Sequence, residues 1–270
     1  MAKRSVAQGK GRIFRLLFRL LGILLIVAVN GIVLWRIFSS GDPAAVGVLK
    51  VNRNTADAYE KAGKLTMWYQ EQATVTKAEK NYGYFGVTQW RYVEEAEQVQ
   101  LVFRYNNSTI KHLKEDYKLE TMPDRAEMLY DVTLYVAYDL TPDDPSDNDG
   151  NNPESVRFER YYPDRDTIGT AQKNVYNYRT YLFDGIVIDE TVLAVYADIY
   201  YVGDIDYEKE AYGTLCLYDY STPRVSIELK KADTEALEAY KEKRKTETDA
   251  ILTKEESATE CKEESREGKE

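Results

Sequence analysis

The sequence has few of the residues that most often carry metal-binding, redox or nucleophilic chemistry. There are two cysteines and one histidine in 270 residues. Cys216 lies in an apolar, strand-like run and Cys261 in a highly charged stretch, so we expect two structural or incidental thiols and no disulfide framework. His112 has no cluster of cysteine or glutamate partners, and we expect it at the surface, without a role as metal ligand or general base.

Motifs for catalysis and nucleotide binding are also lacking. The chain has no Gly-x-Ser-x-Gly, His-Glu-x-x-His, Walker or Gly-x-Gly-x-x-Gly pattern. Carboxylates are abundant, so a hydrolase that uses two facing acidic side chains is the least favoured alternative, and it would need a cleft. We predict that the chain is not an enzyme and binds no cofactor.

Acidic residues are absent from the first 41 positions, whereas basic residues are frequent there. Six of them precede the first apolar run: Lys3, Arg4, Lys10, Arg12, Arg15 and Arg19. Residues 39–270 carry all 46 acidic side chains and 29 basic ones, a net charge of −17. Because nucleic acids and anionic lipid headgroups repel such a surface, we exclude both as partners of this part.

One long apolar segment, Leu16 to Phe38, overlaps the end of this basic stretch and includes Arg19. A helix rises about 1.5 Å per residue, so its 23 residues exceed the ~20 needed to cross a bilayer. The positive-inside rule then leaves the N-terminus in the cytoplasm and the C-terminal part outside. A cleaved signal peptide, cut before Asp42, is the alternative; the length of the segment and the position of Arg36 disfavour it.

Apolar residues alternate with polar ones through much of the remaining chain. The clearest example is Tyr130, Val132, Leu134 and Val136, and such a period of two is typical of a strand with one face on a core. Together with the alternating stretch Gln98–Tyr105, the predicted strands are Tyr84–Val93, Tyr130–Leu140, Val156–Tyr162, Asn174–Phe183, Val192–Val202, Gly213–Tyr220 and Arg224–Leu229.

These short strands leave no room for the crossover helices of a parallel sheet. The sequence therefore predicts a mainly β fold, an antiparallel immunoglobulin-like β-sandwich with one helical insertion at Ser108–Leu119; a closed barrel is the alternative. The predicted order is a basic cytoplasmic leader (1–19), a transmembrane helix (20–38), a juxtamembrane stalk (39–80), an extracytoplasmic β-sandwich (81–230) and a charged tail (231–270). We expect the tail to be largely disordered, with a few helical turns near Leu237.

The acidic loop between residues 141 and 154 suggests a calcium site. Asp147, Asp149 and Gly150 match part of an EF-hand loop, and their oxygens suit a hard cation. The first ligand position holds Pro145, however, and the bidentate position holds Val156. We therefore favour a solvated turn, with Asp147 and Asp149 as weak calcium candidates.

Tyrosine is unusually frequent, with 23 in the chain. Most of these residues fit the strand propensity of tyrosine on a half-buried face. An outward-facing subset would form a contact surface, since tyrosine gives a large contact area at low entropic cost. We predict Tyr135, Tyr176, Tyr178 and Tyr200 for this subset.

Location and architecture lead to an expectation for function. We expect a single-pass membrane-anchored extracytoplasmic β-sandwich that is an interaction or structural component of the cell envelope. Its partners would be the lipid bilayer, through the anchor helix, and another membrane or envelope protein. A wall-polysaccharide or glycan-binding module that uses the exposed tyrosines is the main alternative.

Overall fold

The computed structural model describes residues 19–34, 46–71, 74–77, 86–124, 127–139, 156–173 and 175–267. The chain divides into two compact units, Met1–Pro43 and Ala44–Glu270. In the first unit, residues 19–34 form helix α1. The large apolar side chains along α1 are 49–66% exposed, because no other described residue of this unit packs on them.

The predicted transmembrane segment is only partly covered by α1. Its residues 35–38 lie outside the described part of the chain, as do residues 1–18 of the basic leader. Within the described ranges, no helix has both the length and the apolar character required to cross a membrane.

The second unit contains three α-helices and eleven strands in its described residues. In chain order they are α2 (Arg53–Ala62), β1 (Met67–Tyr69), β2 (Thr74–Lys77), β3 (Gly86–Val93), β4 (Gln98–Asn106), α3 (Asn107–Asp116), β5 (Tyr130–Asp139), β6 (Val156–Tyr161), β7 (Gly169–Lys173), β8 (Tyr176–Phe183), β9 (Val192–Tyr201), β10 (Gly213–Asp219), β11 (Val225–Ile227) and α4 (Lys231–Glu267).

The strands form two antiparallel sheets, as predicted. Sheet A has the order β11-β1-β3-β4-β8-β7 and sheet B the order β2-β10-β9-β5-β6. One cluster of buried side chains takes members from both sheets, such as Phe103 and Phe183 from sheet A and Leu134 and Ile199 from sheet B. This common core is consistent with a β-sandwich. The immunoglobulin-like subtype, which has about seven to nine strands, stays a prediction.

The alternation that predicted the strands does identify the core. Tyr130, Val132, Leu134 and Val136 of β5 are all fully buried. The predicted strands from Val156 onward coincide with β6, β8, β9, β10 and β11 to within two residues at each end. At the turn after β8, Gly185 adopts φ 73°, a conformation that side-chain-bearing residues rarely accept.

The outer face of sheet A is covered by the chain itself. Residues 46–51 and helices α2 and α4 lie over it, and Leu49, Met67, Val93 and Leu237 form a second buried cluster there. Asp233 of α4 accepts a hydrogen bond from the Leu49 amide at 2.6 Å. Both sides of this sheet are therefore buried over much of its area.

The structure differs here from the predicted stalk and tail. Residues 46–71 and 74–77, assigned to a stalk, belong to the same compact unit as the sandwich. The charged tail is helical over Lys231–Glu267. Leu237 is fully buried in the second cluster, which explains why this end of the helix is fixed to the sandwich.

Helices α2 and α3 begin with the same capping arrangement. Asn52 caps α2 and Asn106 caps α3, and in each the asparagine and a threonine three residues later bond to each other's backbone amides. The predicted helical insertion is confirmed, with Ile110 and Leu113 buried on one side.

Candidate functional site

An open pocket of about 510 Å³ lies on the outer face of sheet B, the face that points away from the common core. Strands β5 and β9 form its floor. In their register Tyr135 pairs with Tyr196 and Thr133 with Asp198, and Tyr200 follows on β9. Because side chains alternate along a strand, all five project to the side opposite Val132 and Leu134 of the core. We refer to this site as the tyrosine pocket.

The connection between β9 and β10 forms one wall of the tyrosine pocket and brings Tyr207 over the sheet. The Tyr207 hydroxyl donates a hydrogen bond of 2.8 Å to Asp131, which is fully buried. Arg165 donates two further bonds to the same carboxylate, at 3.2 and 2.7 Å. The Tyr207 ring packs edge-on against Tyr200, with centroids 5.1 Å apart. The wall is therefore anchored by a buried carboxylate.

Arg160 of the edge strand β6 holds the tyrosines together. Its guanidinium carbon lies 5.6 Å from the ring centre of Tyr135, 5.9 Å from that of Tyr200 and 5.8 Å from that of Tyr207. It also donates a hydrogen bond of 2.6 Å to the Tyr207 carbonyl. Cations placed over aromatic faces are attracted by the ring quadrupole, so Arg160 fixes three of the four rings.

Two exposed aromatic side chains extend the site along β6. Phe158 is 50% exposed and stacks on Tyr135, with centroids 5.0 Å apart and planes 11° from parallel. Tyr162 is 53% exposed and packs edge-on against Tyr207 at 5.3 Å. We refer to Phe158 and Tyr162 as the aromatic rim.

Burial and nearby charges raise the pKa values of Tyr196, Tyr200 and Tyr207. The pKa of Tyr207 is raised to about 12 by burial and by its hydrogen bond to Asp131. Burial, followed by the charge of Asp198, raises the pKa of Tyr200. Burial, followed by the charges of Cys216 and Asp219, raises the pKa of Tyr196. All three phenols are therefore neutral at physiological pH and donate or accept hydrogen bonds without carrying charge.

The structure brings together two of the four tyrosines that the sequence indicated, Tyr135 and Tyr200. Tyr200 is only 3% exposed, because Tyr207 and Arg160 cover it. Tyr176 and Tyr178 lie on the outer face of sheet A instead. Tyr178 points to that outer face but is fully buried, so it is not part of an exposed contact surface as predicted, because Val46 packs against it.

Sequence reasoning missed Arg160, Tyr196, Asp198 and Tyr207 as parts of the site. Asp198 and Tyr196 share a strand face with Tyr200 at a spacing of two, a signal that was present in the predicted strand. The placement of Arg160 depends on the register between β5 and β6, which puts it beside Tyr135. No sequence signal points to Tyr207, which reaches the pocket from a loop.

The remaining candidate residues, which are the two loop aspartates, His112 and Cys216, do not form a common site in the described part of the chain. Asp147 and Asp149, the calcium candidates, lie outside the described residues. Within those residues, no group of three or more His, Cys, Asp or Glu side chains could hold a metal ion. His112 lies on α3 with its side chain half exposed. Cys216 is half-buried on β10, and burial raises the pKa of its thiol.

A second cavity, of about 500 Å³, lies beside residues 46–51 on sheet A. Its charged groups already hold the fold together. Arg91 donates to the Gly47 carbonyl and pairs with Asp233 at 3.8 Å, and Asp233 also accepts bonds from backbone amides. The tyrosine pocket combines four tyrosine rings with charged groups, and we regard it as the better candidate for ligand binding.

Comparison of the chain with known protein families, with curated proteins and with solved structures finds no match.

Proposed function

We propose that the chain is a single-pass membrane-anchored, extracytoplasmic β-sandwich that binds another protein of the cell envelope and catalyses no reaction. The basic leader, the 23-residue apolar segment and the net charge of −17 beyond it support the anchor and its orientation. The exposure of the apolar side chains along α1 also supports it, since leaving such a surface in water is unfavourable.

The observation that carries the binding proposal is the composition of the tyrosine pocket and its rim. Tyrosine, arginine and phenylalanine are the residue types enriched at the centres of protein–protein interfaces. Here they form one continuous aromatic surface on a single face of sheet B, from Phe158 through Tyr135 and Tyr200 to Tyr207. Arg160 and Asp131 hold the rings in place before binding, which lowers the entropic cost of association.

Crosslinking in native membranes followed by co-purification tests this proposal. The chain with Phe158→Ala and Tyr162→Ala should lose the crosslinked partner, because both rings are half exposed and their removal costs the fold little. Tyr220→Ala is the matched control, since Tyr220 is 68% exposed and lies outside the tyrosine pocket. Tyr220→Ala should recover the partner in the same amount as the unmodified chain.

Two results would overturn the proposal. Recovery of the chain without any crosslinked protein would count against a protein partner. Retention of purified wall polysaccharide by the unmodified chain, with loss of retention in the Phe158→Ala and Tyr162→Ala variant, would establish the glycan-binding alternative in its place.

A further inference from the structure

We propose that the tyrosine pocket takes a positively charged, extended segment of the partner protein, with a lysine or arginine side chain seated between Tyr196 and Asp198. This inference rests on the proposed function, because it specifies the chemistry of the partner that the pocket would recognise.

Charge is the first argument. Asp198, Glu208 and Glu210 line the pocket. These three carboxylates outnumber the two cations of the lining, Arg160 and Lys209, and Lys209 also pairs with Asp206 at 3.3 Å. The pocket therefore presents a negative potential to an incoming ligand. A basic segment is attracted and an acidic one is repelled.

The rings provide the second argument. Arg160 occupies the faces of Tyr135, Tyr200 and Tyr207, and among the described contacts Tyr196 is the pocket tyrosine that it does not reach. The face of Tyr196 is beside Asp198 on the same side of β9. A partner cation placed there would gain a cation–π contact and a carboxylate together.

The shape of the site explains why the segment is extended. The pocket is open to solvent, and the aromatic rim continues from it along the edge strand β6. Phe158 lies beside Tyr135 at one end, and Tyr162 lies beside Tyr207 at the other. A chain that runs along this rim contacts both rings while one of its basic side chains enters the pocket.

Binding of two labelled peptides to the full-length chain in detergent tests the inference. One peptide alternates Lys and Thr, and the other alternates Glu and Thr. We expect the Lys peptide to bind and the Glu peptide not to bind. Glu208→Gln with Glu210→Gln should weaken binding at low salt by roughly fivefold for each charge removed. Glu190→Gln, with an exposed carboxylate before the start of β9, is the control for the charge change and should have no effect.

Equal binding of the two peptides, or binding of the Lys peptide that Glu208→Gln and Glu210→Gln leave unchanged, would overturn the inference. A third result separates the inference from the proposed function. If capture of a partner depends on Phe158 and Tyr162 but the Lys peptide does not displace that partner, the inference fails and the proposed function stands. If no protein depends on these residues, the proposed function itself fails.

Discussion

Asp131 should be among the most sensitive positions on the outer face of sheet B, and Thr133, two residues along the same strand, among the least. Both side chains are fully buried. Asp131 accepts hydrogen bonds from the Val132 amide at 3.1 Å, from two nitrogens of Arg165, and from the Tyr207 hydroxyl. The Thr133 hydroxyl has none within the described residues. Two buried polar groups on one face of a strand therefore differ in whether their hydrogen bonds are satisfied.

The magnitudes follow from that difference. Asp131→Asn keeps the size of the side chain, but it removes the charge and turns one acceptor into a donor that faces other donors. Hydrogen bonds to charged groups contribute about 1.5–3 kcal/mol each. The Arg165 side chain is 53% exposed, so water replaces part of what it loses. We expect the free energy of unfolding to fall by ~2–4 kcal/mol in total. Thr133→Val keeps the shape and removes an unsatisfied hydroxyl, so stability should be unchanged or rise by up to ~1 kcal/mol.

Urea unfolding followed by tryptophan fluorescence measures both effects, because Trp68 and Trp90 lie in the common core and their rings are 5.8 Å apart. The double variant Arg165→Gln, Asp131→Asn should lower the free energy of unfolding little more than Asp131→Asn alone, since the two residues form one pair. Two results would refute the account of this face as a satisfied carboxylate beside an unsatisfied hydroxyl. One is a fall in the free energy of unfolding above about 1 kcal/mol for Thr133→Val, and the other is no fall for Asp131→Asn.

Three further predictions concern other parts of the molecule. Leu237→Ala should lower the free energy of unfolding by ~2–4 kcal/mol, because Leu237 is fully buried, whereas truncation after residue 245 should leave the urea midpoint unchanged. Because the pKa of Tyr207 is raised from 10.0 to about 12, the stabilisation from its protonated hydroxyl is complete below pH 10 and is lost as the pH rises towards 12. Unfolding measured across this range should show a smaller loss in Tyr207→Phe. Alkaline carbonate should leave the full chain in the membrane fraction and release a chain of residues 39–270, if the apolar segment is the anchor.

The sequence pattern was sufficient to predict the inner faces of the strands. Alternation in β5 marks Val132 and Leu134 for the core, and both are buried between the sheets. This alternation shows which residues share a face of the strand, but it does not show what covers the opposite face. Gln98 and Gln100 alternate with the core residues of β4 and yet are buried, because residues 50–55 bond their side-chain amides. That covering is a long-range contact with no local signal.

The same limit applies to the candidate site. Tyr135 and Tyr178 have the same local pattern, each outward-facing on a predicted strand. Val46 covers Tyr178, whereas Tyr135 keeps one side open to the tyrosine pocket. The residue that covers Tyr178, Val46, is more than 100 positions away in sequence, so only the tertiary structure reveals the difference in exposure. Tyr207 was missed for a related reason, since its position depends on Asp131, which is 76 residues earlier.

The two outer faces therefore have different roles in the described structure. The face of sheet A is closed by residues 46–51, α2 and α4, and its polar groups bond to that cover. On sheet B the described chain contributes the connection between β9 and β10, which Asp131 fixes through Tyr207, and Arg165, which bonds the same carboxylate. Arg160 contacts three of the rings beneath, and Tyr196 and Asp198 line the pocket beside them. A surface that is arranged in advance but not filled by its own chain can gain its remaining contacts from a partner, and this is why we propose that the partner binds on sheet B.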